Sequence, residues 1–276
     1  RSVIRAVGGE LSRVVDVAER ELAATGDYFQ RAGMVVRVVN DPATHQTTIK
    51  DLSSLALLRA LATVAYWERF DKRMGKFQAI DPPPSYVSVL SSAQTYRHLP
   101  ALHGIARQPY LRPDGSLMSV PGYDEATGMY GVFNADDFVV QDEIEREEAI
   151  ELLSVLDDLL KEFAFATEAD RSAAIAAMLT AAIRPSLPQA PMFHVRAPQI
   201  SSGKSYLTTL IAAFATPNRT PAASFPKSDE ECQKLLLATL VEAPAVVCFD
   251  NLVTDLLPHK TLCSTLTDEL VNGRLL

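Results

Sequence analysis

Ten residues, Arg196-Ala197-Pro198-Gln199-Ile200-Ser201-Ser202-Gly203-Lys204-Ser205, constrain this chain more than any others. An apolar run, Met192-Phe193-His194-Val195, precedes them, and a run of helical character, Tyr206 to Ala215, follows. Strand, small-residue loop, Gly-Lys-Ser and helix, in that order, is the layout of a phosphate-binding P-loop. In such a loop the backbone amides and the helix N-terminus face phosphate oxygens. Ser201, Ser202 and Gly203 are small enough for that approach, Lys204 reaches the outer phosphates, and the Ser205 hydroxyl binds Mg²⁺. The pattern departs at Pro198, which stands where a glycine is usual. Proline donates no N–H and fixes its own φ, so the first turn of the loop has to be built differently.

A second feature pairs with the first. Ala245-Val246-Val247-Cys248-Phe249-Asp250-Asn251 is an apolar run that ends in an acid. It reads as a buried parallel strand with a carboxylate at its C-terminal edge. Asp250 lies 46 residues after Lys204, which leaves room for helix, strand and helix between them. An acid so placed in a P-loop enzyme holds the Mg²⁺ shell. Alone, the same residues read as an ordinary strand followed by an Asp-Asn turn.

Composition narrows the classes. The net charge of −8 argues against a broad basic surface for duplex DNA, while leaving room for a local basic track. No run reaches the roughly 18 apolar residues of a membrane span. The start, Arg1-Ser2-Val3-Ile4-Arg5, carries no secretory signal, so a cytoplasmic protein is expected. Cys232, Cys248 and Cys263 have no paired or zinc-binding spacing and are expected as reduced core thiols. The absence of an initiator Met suggests a fragment or a trimmed chain.

Upstream, the apolar positions Leu11, Val14, Val15, Ala18 and Leu22 share one face of a helix over Glu10 to Ala24. Tyr28 to Val39 reads as a hairpin around Arg31-Ala32-Gly33, with Thr47 to Lys50 as a further strand. Leu55 to Phe70 reads as one helix with Trp67 near its end. Arg69, Lys72, Arg73 and Lys76 follow, either as a solvated charged face or as contacts to nucleic acid phosphates. After the stiff Asp81-Pro82-Pro83-Pro84 break, Ser85 to Ala93 reads as a helix. Pro113-Asp114-Gly115 makes a hairpin turn and Gly122 to Tyr130 another, so Asp114 and Asp124 are read as turn-formers.

Glu143 to Phe163 reads as a helix whose stripe is Ile150, Leu153, Leu156, Leu160 and Phe163. Thr167 to Asp170 resembles a capping box that opens a helix to Ile183. A strand at Ala222 to Phe225, a helix from Ser228 to Glu242, the Asp250 strand and a helix from Leu256 to Leu270 complete the chain. The fold class expected is α/β with an α+β N-terminal region. Its domains are residues 1–133 (a mixed α+β accessory domain), 134–189 (a helical linker or collar) and 190–276 (a partial P-loop NTPase core).

With these residues in hand, the chain from about Glu10 onward resembles the primase–helicase-type ATPases of prophages, plasmids and integrative elements. These are related to superfamily 3 helicases and lie within or close to the AAA+ class. The resemblance rests on Ala197-Pro198 leading into the loop, on Ser228-Asp229-Glu230-Glu231, and on Phe249-Asp250-Asn251. It rests also on Leu99 to Ile105, Leu111 to Ser116 and Gly122 to Gly128, which are the more specific motifs. It implies ATP and Mg²⁺ as cofactors, single-stranded or forked DNA as partner, and ring assembly of the full-length protein. It implies that Asn251 takes the place of the usual Glu base. The sensor and arginine-finger elements of relatives have no counterpart before Leu276, which again suggests a fragment. A helicase-type ATPase and a nucleotide-responsive DNA-binding or scaffold protein, with the P-loop as a switch, both remain open; a small-molecule kinase is the weaker third reading.

Overall fold

The computed structural model describes residues 1–41, 47–139, 141, 143–199, 202–218, 220–250, 252, 256–268 and 271. In chain order the elements begin with β1 (Ser2–Arg5), α1 (Leu11–Ala23), β2 (Phe29–Arg31), β3 (Met34–Asn40) and β4 (Thr47–Asp51). Then come α2 (Ser54–Val64), β5 (Ala65–Asp71), β6 (Lys76–Ile80) and α3 (Pro84–Ser91). Five short strands follow: β7 (Gly104–Ala106), β8 (Tyr110–Leu111), β9 (Leu117–Met118), β10 (Gly122–Asp124) and β11 (Met129–Gly131). The last elements are α4 (Arg146–Asp158), α5 (Glu168–Ile183), α6 (Lys204–Ala213), β12 (Ala222–Ser224), α7 (Asp229–Val241), β13 (Cys248–Asp250) and α8 (Lys260–Thr267). The architecture is a mixed α/β arrangement of several small sheets and helices. The chain divides into two compact units. One comprises Arg1–Ile105, Tyr123–Tyr130 and Val241–Ala243; the other comprises Ala106–Gly122, Gly131–Leu240 and Pro244–Leu276.

In the first unit, β1 runs parallel to β5, and β6 returns antiparallel to it. Ile4, Ala65 and Trp67 are buried among α1, α2 and α3, with Val14, Leu22, Leu57, Leu61 and Leu90 as the packing partners. Fully burying a Leu or Val side chain is worth about 1.5–3 kcal/mol. The Trp67 indole donates to the Leu61 carbonyl at 3.2 Å, so its polar edge is satisfied inside the core. Glu19 is buried, and its carboxylate accepts the backbone N–H groups of His98 and Leu99. β2 and β3 form the expected hairpin around Ala32 and Gly33, both at positive φ, and β4 adds to it.

The expected helix over Leu55 to Phe70 is not formed as one element. α2 stops at Val64, and Ala65 to Asp71 is the strand β5. The β-branched Thr63 and Val64 weaken the helix, and from Ala65 to Trp67 burial alternates with period two as a half-buried strand demands. β1 and β6 are elements that the sequence pattern did not announce.

In the second unit, α5 begins with the expected capping box: Thr167 Oγ1 accepts from the Asp170 N–H, and the Asp170 carboxylate accepts from the Thr167 N–H. Leu160, Ala174, Met178 and Leu207 form one core, with Phe163, Val195 and Ile211 packed against it. A second core joins Cys232 and Leu236 of α7 to Leu262 of α8, with Met192, Phe225 and Phe249 against it. Helix α4 is shorter than the span from Glu143 to Phe163, and of its expected stripe Ile150 and Leu153 are exposed while Leu160, beyond the helix, is buried. Helix α8 covers Lys260–Thr267; of the expected span Leu256 to Leu270, residues 256–259 and 268 are not helical and 269–270 lie outside the described residues. Cys263 is exposed, because Leu262 and Leu266 take the inward face of α8; Cys232 alone of the three thiols is buried.

Candidate functional site

The Gly203-Lys204-Ser205 corner stands at the start of α6. Gly203 is the N-cap residue, in the left-handed region at φ +84°, and no side chain caps the helix. Only glycine adopts that conformation without cost, so the residue type follows from the turn. The first helical turn leaves N–H groups without carbonyl partners inside the helix, which makes this end electropositive. Ser205 is exposed at the second helical position. The Lys204 ammonium group lies back over the preceding loop, donating to the Gln199 carbonyl at 3.3 Å and making a long contact to Ser202 Oγ at 3.5 Å. The lysine is thus folded back over the loop that precedes α6. Ser201 and Ile200 lie outside the described residues, so the middle of the loop is not part of this geometry.

Sequence reasoning missed the wall of the corner. The Phe163 ring stacks on Tyr206 with centroids 5.8 Å apart and planes at 18°. The same ring stands 3.5 Å from where a Cβ on Gly203 would be. Phe163 comes from the turn after α4, some 40 residues upstream, and only Tyr206, directly after Ser205, carried a local signal.

One expectation for the loop fails. The run Met192-Phe193-His194-Val195 forms no strand; residues 191–197 have no regular secondary structure. Pro191 and Pro198 withhold ladder donors at both ends. Phe193 and His194 are both exposed, so the segment lacks the two buried faces of a central strand. Met192 packs with the core that holds Phe249, and Val195 with the core that holds Leu207. The segment therefore runs between the β13 side and the α6 side of this unit as an extended connection.

Asp250 is the last residue of β13, as its apolar run implies. β13 pairs in parallel with β12, with Ser224 opposite Asp250 in register. α7 is the crossover between them, which makes a compact β-α-β unit with the carboxylate at the C-terminal edge of its two strands. Ligands of open α/β sheets collect at that edge. Phe225 packs edge-on against Phe249, and His259 stacks on Phe225 while its Nε2 hydrogen-bonds the Pro226 carbonyl at 2.9 Å. His259 is therefore a structural residue that fixes the end of β12. Burial, first, and the Asp250 carboxylate, second, push the Cys248 thiol up, so it stays protonated beside the acid. Asn251 lies outside the described residues.

Glu230 and Glu231 occupy the first turn of α7, where their charge suits the helix N-terminus. Glu230 is held below its ordinary range by the hydrogen bond from Lys234, and Glu231 accepts from the Lys227 N–H. Asp114 and Asp124 sit in turns. Asp114 accepts from the Ser116 N–H and hydroxyl, and Asp124 accepts from the Thr127 hydroxyl at 2.8 Å.

Among the described residues no group of three or more His, Cys, Asp or Glu side chains is placed to hold a metal ion. A nucleotide-borne Mg²⁺ keeps waters and phosphate oxygens and takes only one or two protein oxygens, so it would ask no such group of the protein. Ser205 and Asp250 fit such a demand by type and by position at element ends. No helix among the described residues is long and apolar enough to cross a membrane. No family model matches the chain, and neither a curated protein nor a solved structure is similar to it.

Proposed function

We propose that this chain is the ATP-binding and ATP-hydrolysing module of a DNA-replication helicase or primase–helicase of a mobile element. The observation that carries the proposal is the corner itself: a left-handed Gly203 that opens α6, with the Lys204 ammonium group arched over the preceding loop. The β-α-β unit that ends in Asp250 supports it.

Bound ATP would supply the transferable γ-phosphoryl group, and its Mg²⁺ would neutralise charge between the outer phosphates. The chain's own residues bind and orient. Lys204 would exchange its contacts to the uncharged oxygens of Gln199 and Ser202 for anionic phosphate oxygens, which pairs its charge with an opposite one. The amides at the start of α6 would bind the same phosphate. Ser205 offers its hydroxyl and Asp250 its carboxylate to the metal shell. Pro198 removes one donor from the loop, which lowers the number of amides that can reach phosphate. DNA is the partner we assign, and self-association into a ring is the assembly.

The test is titration of the chain with a fluorescent ATP analogue in Mg²⁺, followed by a turnover assay. Wild type is expected to bind, and Lys204→Ala to bind at least tenfold more weakly, at about 1.4 kcal/mol per tenfold. Equal binding by both proteins removes the assignment. Binding that depends on Lys204 but leads to no turnover, with DNA present, supports the switch reading in place of the motor.

A further inference from the structure

We infer that the outer face of the β1-β5-β6 sheet binds single-stranded DNA by base stacking, at Tyr66, Phe70 and Phe77. The inference rests on the proposed function only for the choice of DNA over RNA.

The sheet has two unlike faces. Its inner face buries Ile4, Ala65 and Trp67 against helices. The alternate residues therefore point outward, and on β5 these are Tyr66, Glu68 and Phe70. Tyr66 is 59% exposed, Phe70 48% and Phe77 39%. Three large aromatic rings on one open sheet are a costly exposure with no fold role, since the core lies on the other side. Phe70 and Phe77 are direct cross-strand partners, with ring centroids 5.3 Å apart. Tyr66 stands four residues along the same strand from Phe70, about 13 Å away at the strand rise. The face thus offers two stacking stations in line.

Cations surround the rings. Arg5 on β1 reaches across to lie 4.3 Å from the Phe77 centroid, and Arg1 lies 5.7 Å from the Tyr66 centroid. At the rim of the face the β5–β6 turn carries Lys72 and Arg73, both exposed; Arg69 and Lys76 flank that turn, exposed, at strand positions that alternate away from the rings. The acids nearby are Glu68, which pairs with Arg5 at 3.5 Å, Asp71, which accepts the backbone N–H groups of Arg73 and Met74 to shape the turn, and Asp81, exposed directly after β6. Six cations against three acids give this sheet and its flanks a positive balance in a chain of net charge −8.

A sheet carrying exposed aromatics, with arginine planes beside them and a basic margin, is the chemistry that stacks unpaired bases and holds their phosphates. A duplex hides its base faces and offers nothing to the rings. A protein partner would have to be acidic and apolar, and would not require rings spaced along one strand.

The experiment measures fluorescence anisotropy of labelled dT20, rU20 and a dT20·dA20 duplex with the whole chain, without nucleotide, across a salt series. Wild type is expected to bind dT20 more tightly than the duplex. Tyr66→Ala and Phe70→Ala are each expected to weaken dT20 binding about 5- to 100-fold with no change in salt slope. The triple variant Lys72→Ala, Arg73→Ala, Lys76→Ala is expected to lower the slope of log affinity against log salt by up to about 2, at roughly 0.7 per phosphate that the three side chains neutralise. These side chains are exposed, and an unchanged thermal melt confirms that each variant is folded. Aromatic variants that bind dT20 like wild type, or a wild type with no preference for the single strand, overturn the inference. Tighter binding of rU20 than of dT20 overturns the choice of DNA. Since the ATP titration of Phe70→Ala is expected to match wild type, loss of DNA binding and failure of the nucleotide site are read separately.

Discussion

Gly203→Ala is the substitution whose consequence follows most directly from the structure. Gly203 has φ +84°, and an added Cβ would meet nothing nearer than the Phe163 ring at 3.5 Å, an ordinary van der Waals distance. Sterics with neighbours therefore cost nothing, and the whole effect is the conformational cost of an L-residue in the left-handed region, about 1–2 kcal/mol. That cost has to appear in one of two places. If the loop holds its conformation without ligand, folding stability falls by the full amount. If the loop relaxes without ligand, stability is spared and nucleotide binding must restore the strained turn, so affinity falls by about 5- to 30-fold at 1.4 kcal/mol per tenfold. The two losses together should sum to about 1–2 kcal/mol. Gly9 is the control, because it has the same φ of +84° with no atom within 4 Å of the added Cβ. Gly9→Ala should lower stability by a similar amount and leave nucleotide affinity unchanged. The assay is urea unfolding of each variant beside titration with a fluorescent ATP analogue. A Gly203→Ala protein with both quantities unchanged refutes the left-handed corner. One whose two losses together clearly exceed about 2 kcal/mol refutes the claim that the left-handed backbone alone is at stake.

Two further outcomes follow from the packing. Replacing Glu19 by Ala leaves the His98 and Leu99 N–H groups buried without their acceptor, and is expected to cost about 2–5 kcal/mol in urea unfolding, with Glu19→Gln recovering most of it. Asp157 pairs with Arg171 through contacts of 2.5 and 2.8 Å, and the Arg171 hydrogen bond holds its carboxyl below the ordinary 3.8. A lowered carboxyl pKa gives stability that is fully present above 3.8 and is lost as pH falls through the lower folded value. The melting temperature of Asp157→Asn should lie below wild type by a constant amount above that pH, and the gap should close in more acid solution. A gap that persists there refutes the ion pair as its cause.

How much of this was legible in the sequence depended on how local the determining contact is. The α1 helix, the Ala32-Gly33 hairpin and the Thr167–Asp170 capping box carry their causes within a few residues, and each could be read. The strand β5 could not, because its partner β1 lies more than 60 residues away in the chain and Leu55 to Phe70 scans as one apolar stretch. With β5 hidden, the shared outward face of Tyr66, Phe70 and Phe77 was hidden too, and the basic residues after Arg69 looked like a solvated surface. At the Gly203-Lys204-Ser205 corner, the opening of a helix at Gly203 was legible from residue type and order. The Phe163 ring against it was not, since nothing near Phe163 in sequence refers to Gly203. The segment Met192 to Val195 misled for the converse reason: apolar residues satisfy a strand pattern, but a strand also needs a neighbour, and prolines on both sides deny it one.

The central claim is that Lys204 and Asp250 act on one magnesium nucleotide. A double-mutant cycle of Lys204→Ala and Asp250→Asn, read as ATP affinity in Mg²⁺ and again with Mg²⁺ removed by chelator, tests it directly. We expect the Asp250→Asn loss to require Mg²⁺, and the two losses in Mg²⁺ to depart from additivity by about 0.5–3 kcal/mol. Losses that add within about 0.5 kcal/mol, or an Asp250→Asn effect equal with and without the metal, would contradict it.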